Sequence, residues 1–140
     1  MVCDRNAVPL AAHLTPGQDH ESKNVEATLN AVRLRRRRRP LCLAGDKGYS
    51  YRRVREWLRL HRIGAVIPHR DDERRKMKGP PPPFDKAAYR QRNVIERCVG
   101  WLKECRRLAT RFEKKAVNFL GMVKLAMISR CLRLGLSDSA

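Results

Sequence analysis

Two carboxylates, Asp46 and Glu96, are the side chains of this sequence best suited to phosphoryl-transfer chemistry. Asp46 follows the unbroken apolar run 41–44 (LCLA), which predicts a central strand buried on both faces. Open parallel sheets place their ligands beyond the carboxyl ends of the strands, where Asp46 would lie. The alternative is a turn or capping aspartate within the tight segment 45–48.

Glu96 is predicted to lie on a helix, within a column of cations. At about 100° per residue, one narrow stripe of this helix carries six residues, namely Tyr89, Arg92, Glu96, Gly100, Lys103 and Arg107. Glycine costs about 1 kcal/mol relative to alanine inside a helix, and it leaves an open space in which an anion would fit. The alternative is a solvated face on which Glu96 forms ordinary ion pairs.

An aspartate and a glutamate held over one point, among cations that bind phosphates, favour divalent-metal chemistry. Mg²⁺ prefers oxygen ligands, and two such ions stabilise the attacking and leaving oxygens of a phosphodiester. Two carboxylates are too few for two ions, so a third must come from elsewhere. We therefore expect Asp46 and Glu96 to converge at the end of the 41–44 strand.

The charge of the chain makes nucleic acid the expected partner. Its 140 residues include 32 Lys or Arg and 14 Asp or Glu, which gives a formal net charge of +18. Because 42% of the residues are hydrophobic, the chain should fold as one domain rather than act as a disordered basic tail. A polyanion is expected to bind this surface, with DNA ahead of an acidic membrane. The arginine run 35–39 is either a solvated helix end or a DNA contact.

The five cysteines show no Cys-x-x-Cys pair and no Cys/His cluster, so neither disulfides nor a zinc site are expected. They are predicted to be small buried hydrophobes in a reducing cytoplasm. The longest apolar stretch, 116–128, is interrupted by Asn118 and Lys124 and is too short to span a bilayer. A cytoplasmic protein with no membrane partner is expected.

Periodicity predicts the elements that would position these residues. Segment 1–3 pairs in a hairpin with an edge strand whose inner face is Val8, Leu10, Ala12 and Leu14. A helix follows, with Val25, Leu29 and Val32 on one face. The strand 41–44, a helix over 50–62 and a strand over 63–67 predict a parallel βαβ unit.

The second half is predicted to be helical after a mobile, proline-rich loop over 69–84. One long helix should run from Asp85, its N-cap, to Phe112, and a last, largely apolar helix should cover 116–134. The core-facing stripe of the long helix is predicted to be Ile95, Cys98, Leu102, Cys105, Ala109 and Phe112.

Four of the residues named above form a known spacing. Tyr89, Arg92, Glu96 and Lys103 reproduce the Y-(2)-R-(3)-E-(6)-K signature of bacterial insertion-sequence DDE transposases. The surrounding block YRQRNVIERCVGWLKECRRLATRFEK resembles the C-terminal block of that family, and LAGDKGY resembles the block with its second catalytic aspartate. VPLAAHLTPGQDHES resembles the stretch before it. The chain thus resembles the insertion sequence five group of the transposase DDE domain family.

The resemblance implies an α/β fold, a ribonuclease H-like mixed sheet with flanking helices, truncated at its N-terminus and helical at its C-terminus. Asp46 and Glu96 would be the second and third catalytic carboxylates and would hold Mg²⁺ or Mn²⁺. The residues expected to contact or support DNA are Tyr89, Arg92, Lys103, Arg107 and Lys47. The first aspartate would lie upstream, and Asp4, in a segment that resembles a later hairpin, is not expected to replace it.

These observations predict that residues 1–134 are part of a DDE transposase catalytic domain and that 135–140 are a tail. The intact enzyme would cut transposon ends and join the freed 3′-OH to target DNA. Its partners would be double-stranded DNA and either an upstream-frame product or a second copy, in the cytoplasm at the nucleoid. The isolated chain is expected to be inactive. Two alternatives stay open, namely a non-catalytic DNA-binding module or transposition-interfering remnant, and a metal nuclease with a complete acidic triad in this chain.

Overall fold

The computed structural model describes residues 1–33, 39–80 and 82–137, with side chains to residue 134. This part of the chain is a mixture of helices and strands, as predicted. The strands are β1 Val2–Cys3, β2 Pro9–Ala11, β3 Cys42–Ala44 and β4 Gly64–Val66. The helices are α1 Val25–Ala31, α2 Arg52–Leu60, α3 Asp71–Lys76, α4 Lys86–Arg90, α5 Val94–Glu104, α6 Arg106–Ala109 and α7 Ala116–Ser137. Short 3₁₀ turns cover Glu21–Asn24, Lys47–Tyr49 and Gln91–Asn93.

The predicted N-terminal hairpin is confirmed, but its inner face is not the predicted one. β1 and β2 pair antiparallel, with Cys3 opposite Pro9. The buried residues around β2 are Ala7, Pro9 and Ala11. The predicted face, Val8, Leu10, Ala12 and Leu14, is half-buried. Since β2 packs against both α1 and α7, burial is not confined to one face of the strand.

The predicted βαβ unit is also confirmed, because β3 and β4 are parallel and are joined by α2. β3 is not buried on both faces, however. Cys42 and Ala44 are exposed and Leu43 is half-buried. Among the described residues β3 pairs with β4 alone, so no second neighbour covers its other edge.

The core lies between α1, α2 and the β4 region. It consists of Val25, Leu29, Val54, Leu58, Ile63 and Ile67, and Val54 and Leu58 are fully buried. The predicted inner face of α1 is confirmed by Val25, Leu29 and Val32, which are all buried. Positions 35–38 of the arginine run and 138–140 of the predicted tail lie outside the described residues. Arg39 lies with its guanidinium 5.0 Å from the Trp57 ring.

The segment 69–84 is not a loop throughout, because α3 occupies its first half. The sequence DDERRK places three acids in the first turn of α3 and three bases in the last turn, which suits the helix dipole. The Glu73 carboxylate also accepts a hydrogen bond from the Arg70 backbone N–H at 3.2 Å, which stabilises the start of the helix. The mobility of this segment stays a prediction.

The long helix predicted over 85–112 is divided into α4, a 3₁₀ turn, α5 and α6. Asp85 is the N-cap as predicted, and its carboxylate accepts a hydrogen bond from the Ala88 N–H at 2.9 Å. α5 ends because Cys105 takes an extended conformation, with ψ at 97°. The bend turns Leu108 into the core, while Ala109 and Phe112 of the predicted stripe are exposed.

The last helix, α7, has the predicted start and extends three residues beyond the predicted end. Its apolar surface is largely uncovered by the described residues, since Val117, Leu125, Ile128 and Leu132 are 55–77% exposed. No helix in the described ranges is long and apolar enough to cross a membrane.

The prediction that all the cysteines are buried is wrong. Cys98 is buried, Cys3 and Cys105 are half-buried, and Cys42 and Cys131 are exposed. The exposed pair lies on β3 and α7, whose open faces the described residues leave uncovered.

Candidate DNA-binding and catalytic site

Asp46 lies at the carboxyl end of β3, where the chain turns into the Lys47–Tyr49 segment. The Gly45 N–H donates to the Val66 carbonyl at 3.2 Å, which extends the ladder to the residue before Asp46. Asp46 Oδ1 then accepts the Gly48 N–H at 2.8 Å and caps the turn. Asp46 therefore has the capping role that the sequence suggested as an alternative, through one of its two carboxylate oxygens.

Gly48 leaves room for this cap. A Cβ added there would lie 2.9 Å from Asp46 Oδ1, so a side chain at position 48 would require the Asp46 carboxylate to shift. The glycine in the Asp-Lys-Gly-Tyr sequence thus suits the Asp46 orientation seen here.

Two side-chain hydrogen bonds hold the segment after Asp46. The Tyr49 hydroxyl donates to Glu21 at 3.0 Å, and burial together with the Glu21 charge raises the pKa of Tyr49 well above its usual value. Ser50 is completely buried, and its hydroxyl donates to the Glu73 carboxylate of α3. These bonds connect the candidate catalytic loop to two other parts of the chain.

Lys47 lies beside α3, a contact that sequence reasoning missed. Its ammonium is 3.8 Å from Asp71 Oδ1. An open groove of about 430 Å³ adjoins this pair and is also lined by His20 and Arg70. The acid-first, base-last order of residues 71–76 could have revealed the helix, but not its position against Lys47.

The structure brings three of the signature residues together. Glu96 is exposed on the first turn of α5, and its Oε1 lies 3.9 Å from Arg92 Nη2. The Arg92 guanidinium lies 5.4 Å from the Tyr89 ring centroid, and the Tyr89 ring is 5.2 Å from that of Phe84. Tyr89, Arg92 and Glu96 therefore form one cluster at the surface, with Glu96 exposed and the other two half-buried, although a 3₁₀ turn separates α4 from α5.

The rest of the predicted cation column is only partly continuous. Gly100 and Lys103 lie on the Glu96 face of α5, and a Cβ at Gly100 would meet nothing within 4 Å. Lys103 forms no ion pair with any described residue and is free to bind an anion. Arg107 belongs to α6, where it pairs with Glu113 at 2.9 Å and lies over the Phe112 ring at 4.7 Å.

The two candidate catalytic carboxylates lie on elements with different packing partners. The turn capped by Asp46 packs against the 3₁₀ turn Glu21–Asn24, whereas α5 packs against β1, α6 and α7. Within the described ranges no group of three or more Asp, Glu, His or Cys residues could hold a metal ion. Carboxylate oxygens suit Mg²⁺ or Mn²⁺ chemically, but these residues do not complete a metal centre.

Asp4 is occupied elsewhere. Its Oδ1 accepts hydrogen bonds from the backbone N–H groups of Asn6 at 2.9 Å and Val8 at 2.8 Å. These bonds shape the turn between β1 and β2. Asp4 therefore has a local structural role, and the expectation that it is not the missing ligand stays a prediction.

Residues 1–131 of the chain match the transposase DDE domain family. The chain belongs to this family. A protein assigned as the transposase for insertion sequence element IS402 of Burkholderia cepacia is 31% identical over an alignment of 137 positions, which covers 94% of this chain. The chain spans about 60% of the length of that relative. No solved structure matches the chain.

Membership in the transposase DDE domain family confirms the resemblance drawn from the Tyr89, Arg92, Glu96 and Lys103 spacing. The family acts on DNA and in general uses divalent metal ions. The net positive charge of the chain suits a DNA partner, and the position of Asp46 at the end of β3 suits a metal ligand.

Proposed function

We propose that this chain forms the C-terminal part of a DDE transposase that cuts DNA at transposon ends and transfers the freed strand to target DNA. The observation that carries the proposal is the cluster of Tyr89, Arg92 and exposed Glu96, at the spacing of the family signature. Arg92 is placed to bind a phosphate and to hold the Glu96 side chain in position. Tyr89 supports the Arg92 guanidinium from its other side.

Asp46 and Glu96 are proposed as two of three catalytic carboxylates, with the third supplied by a segment outside the described residues. Such a set would hold Mg²⁺ or Mn²⁺, which would supply activation of water and stabilisation of charge on the phosphate. The contribution of Lys47 and Lys103 is to bind DNA phosphates beside the carboxylates. The Gly48 N–H holds Asp46 in one orientation.

A ribonuclease H-like fold over residues 1–134 is part of the same proposal. Strands of parallel sheets are normally buried on both faces, whereas Cys42 and Ala44 of β3 are exposed. A further strand from outside the described residues would pair with the open edge of β3 and bring the third carboxylate to its end, and a helix on the exposed face would cover Cys42 and Ala44. In the complete site Asp46 and Glu96 are proposed to converge.

The proposal is tested by comparing two proteins, the 140-residue chain and the same chain joined to the upstream segment that carries the first aspartate. The chain alone should bind duplex DNA without cleaving it. The longer protein should cleave its cognate ends in Mg²⁺, and D46N or E96Q should abolish cleavage with DNA binding retained. E104Q is the matched control, because Glu104 is also exposed on α5 but lies off the Glu96 face.

Three results would contradict the proposal. Cleavage that survives E96Q would remove Glu96 from the catalytic set. A longer protein that binds its ends but does not cut them would favour a non-catalytic DNA-binding module. Mg²⁺-dependent cleavage by the 140-residue chain, lost on D4N, would identify a complete nuclease.

A further inference from the structure

We propose that an open groove between the β1–β2 turn and the start of α5 binds the phosphate backbone of DNA. The inference rests on the proposed function, which makes DNA the partner. The groove has a volume of about 360 Å³. Its polar lining consists of three arginines and three amide side chains, namely Arg5, Arg90, Arg97, Asn6, Gln91 and Asn93. We call it the arginine groove.

The arginines of this groove are not neutralised. None of the residues that line it is acidic. Arg5, Arg90 and Arg97 form no ion pair with any residue in the described ranges, whereas Arg92 pairs with Glu96 and Arg107 pairs with Glu113. Uncompensated guanidinium groups that converge on one concave surface create a positive potential that attracts phosphates.

The two walls of the groove are held in place independently of any ligand. On one side, Asp4 accepts the backbone N–H groups of Asn6 and Val8, and Ala7 takes a left-handed conformation with φ at 61°. The turn that carries Arg5 is thereby shaped. On the other side, α5 packs against β1, and Cys98 of α5 is buried.

The shape and lining of the groove favour the phosphate backbone of duplex DNA. Guanidinium and amide groups donate hydrogen bonds to phosphate oxygens, a contact that positions DNA without reading its sequence. The same side chains also read base edges, but those edges lie inside the DNA grooves and are reached by an inserted helix or ribbon, whereas this protein surface is concave. No aromatic residue lines the arginine groove on which the bases of a single strand could stack, so the occupant is a strand of duplex DNA.

The groove lies beside the signature cluster on the same helix. Asn93 is the residue before α5, and Arg97 lies in the first turn of α5, while Glu96 lies about 100° around the helix from Arg97. A strand that follows the arginine groove would pass next to the Glu96 face. The arginine groove would thus hold DNA beside the candidate catalytic site. Its contacts with DNA would add to those proposed for Tyr89, Arg92 and Lys103.

The test uses the full 140-residue chain and a fluorescent duplex of about 20 bp with random sequence. R5Q, R97Q and the double variant are compared with R59Q by anisotropy titration at several salt concentrations. Arg59 is a matched control, because it is exposed on α2, forms no ion pair with a described residue and loses the same charge. Each groove variant should lower the slope of log affinity against log salt by about 1, and the double variant by about 2.

The outcomes separate this inference from the proposed function. If R59Q weakens binding as much as R5Q and R97Q, net charge alone acts and the groove proposal is overturned. If the unmodified chain binds duplex DNA with no salt dependence, the proposed DNA interface itself fails. Circular dichroism and thermal melting must show folded variants, and R5K and R97K should retain binding if phosphate contact is the cause.

Discussion

The hydroxyl of Ser50 donates a hydrogen bond to the carboxylate of Glu73 and so joins the loop after Asp46 to α3. Arg55 donates to the same hydroxyl oxygen at 2.9 Å and to the Ile67 carbonyl at 2.9 Å. His69 Nδ1 lies 3.4 Å from the Glu73 carboxylate. A short helix of charged residues is thereby attached to the unit that positions Asp46.

We expect Glu73→Ala to destabilise the protein by about 1–3 kcal/mol, because it leaves the buried Ser50 hydroxyl without its acceptor. It should also release α3, so that trypsin cuts faster after Arg74 and Arg75. Urea unfolding and timed proteolysis measure the two effects. The control is Asp72→Asn, which removes an exposed ion pair with Arg70 and should change stability by less than about 1 kcal/mol. Equal effects of the two substitutions would contradict a structural role for the Ser50–Glu73 bond.

The parts of the fold that depend on local sequence could be predicted. The Asp85 cap and the buried face of α1 follow from residues three or four positions apart. The β3–β4 pair was also predictable, because a strand, a helix and a strand in close succession favour a parallel arrangement. The resemblance to the transposase DDE domain family also predicted the signature residues around Glu96.

The parts that depend on distant contacts could not be predicted. The Ser50–Glu73 hydrogen bond joins residues 23 positions apart. No periodic pattern in the sequence indicates that this bond holds part of the 69–84 segment in place. The bend at Cys105 moves Leu108 into the core against the expected stripe, because α6 packs on α7. The exposure of β3 depends on which strands lie beside it, and the apolar run 41–44 carries no information on its neighbours.

Gly100→Ala should stabilise the protein by about 0.5–1 kcal/mol, because nothing lies within 4 Å of the added Cβ and alanine favours the helix. The Cβ added by Gly121→Ala in α7 also meets nothing within 4 Å, so this substitution should have a similar effect on stability. The two variants should differ in DNA binding. If DNA lies close over the Glu96–Lys103 face, only Gly100→Ala weakens it, by a few-fold in an anisotropy titration. Identical affinities would show that DNA does not approach Gly100.

Lys103→Glu and Arg107→Glu should each weaken DNA binding and reduce its salt dependence, since both reverse a charge on the proposed interface. Lys103 is unpaired among the described residues, so its reversal should act on binding alone. Arg107→Glu also places a carboxylate near Glu113 and should lower the melting temperature. Lys124→Glu on α7 changes the net charge equally and is the control. A loss of affinity as large for Lys124→Glu would indicate a response to total charge.

The thiols of Cys3 and Cys98 should make the protein less stable in alkali. Burial, with the neighbouring Cys98 as a smaller cause, raises the pKa of Cys3 from an ordinary value of 9.0 to about 12. Burial also raises the pKa of Cys98. Between about pH 9 and pH 12 the unfolded chain therefore loses thiol protons that the folded chain keeps.

Because the unfolded state binds fewer protons in that range, the free energy of unfolding must fall as pH rises through it. The contribution of these thiols to the free energy of unfolding is fully present below about pH 9. Urea titrations between about pH 8 and pH 10 should show that this free energy declines less steeply with pH in Cys3→Ala than in the unmodified protein. A thiol reagent at pH 8 should modify exposed Cys42 and Cys131 quickly and buried Cys98 slowly, at a rate limited by opening of the structure. Rapid modification of Cys98 in the folded chain would show that α5 does not remain packed on β1, and the wall of the arginine groove would then be mobile.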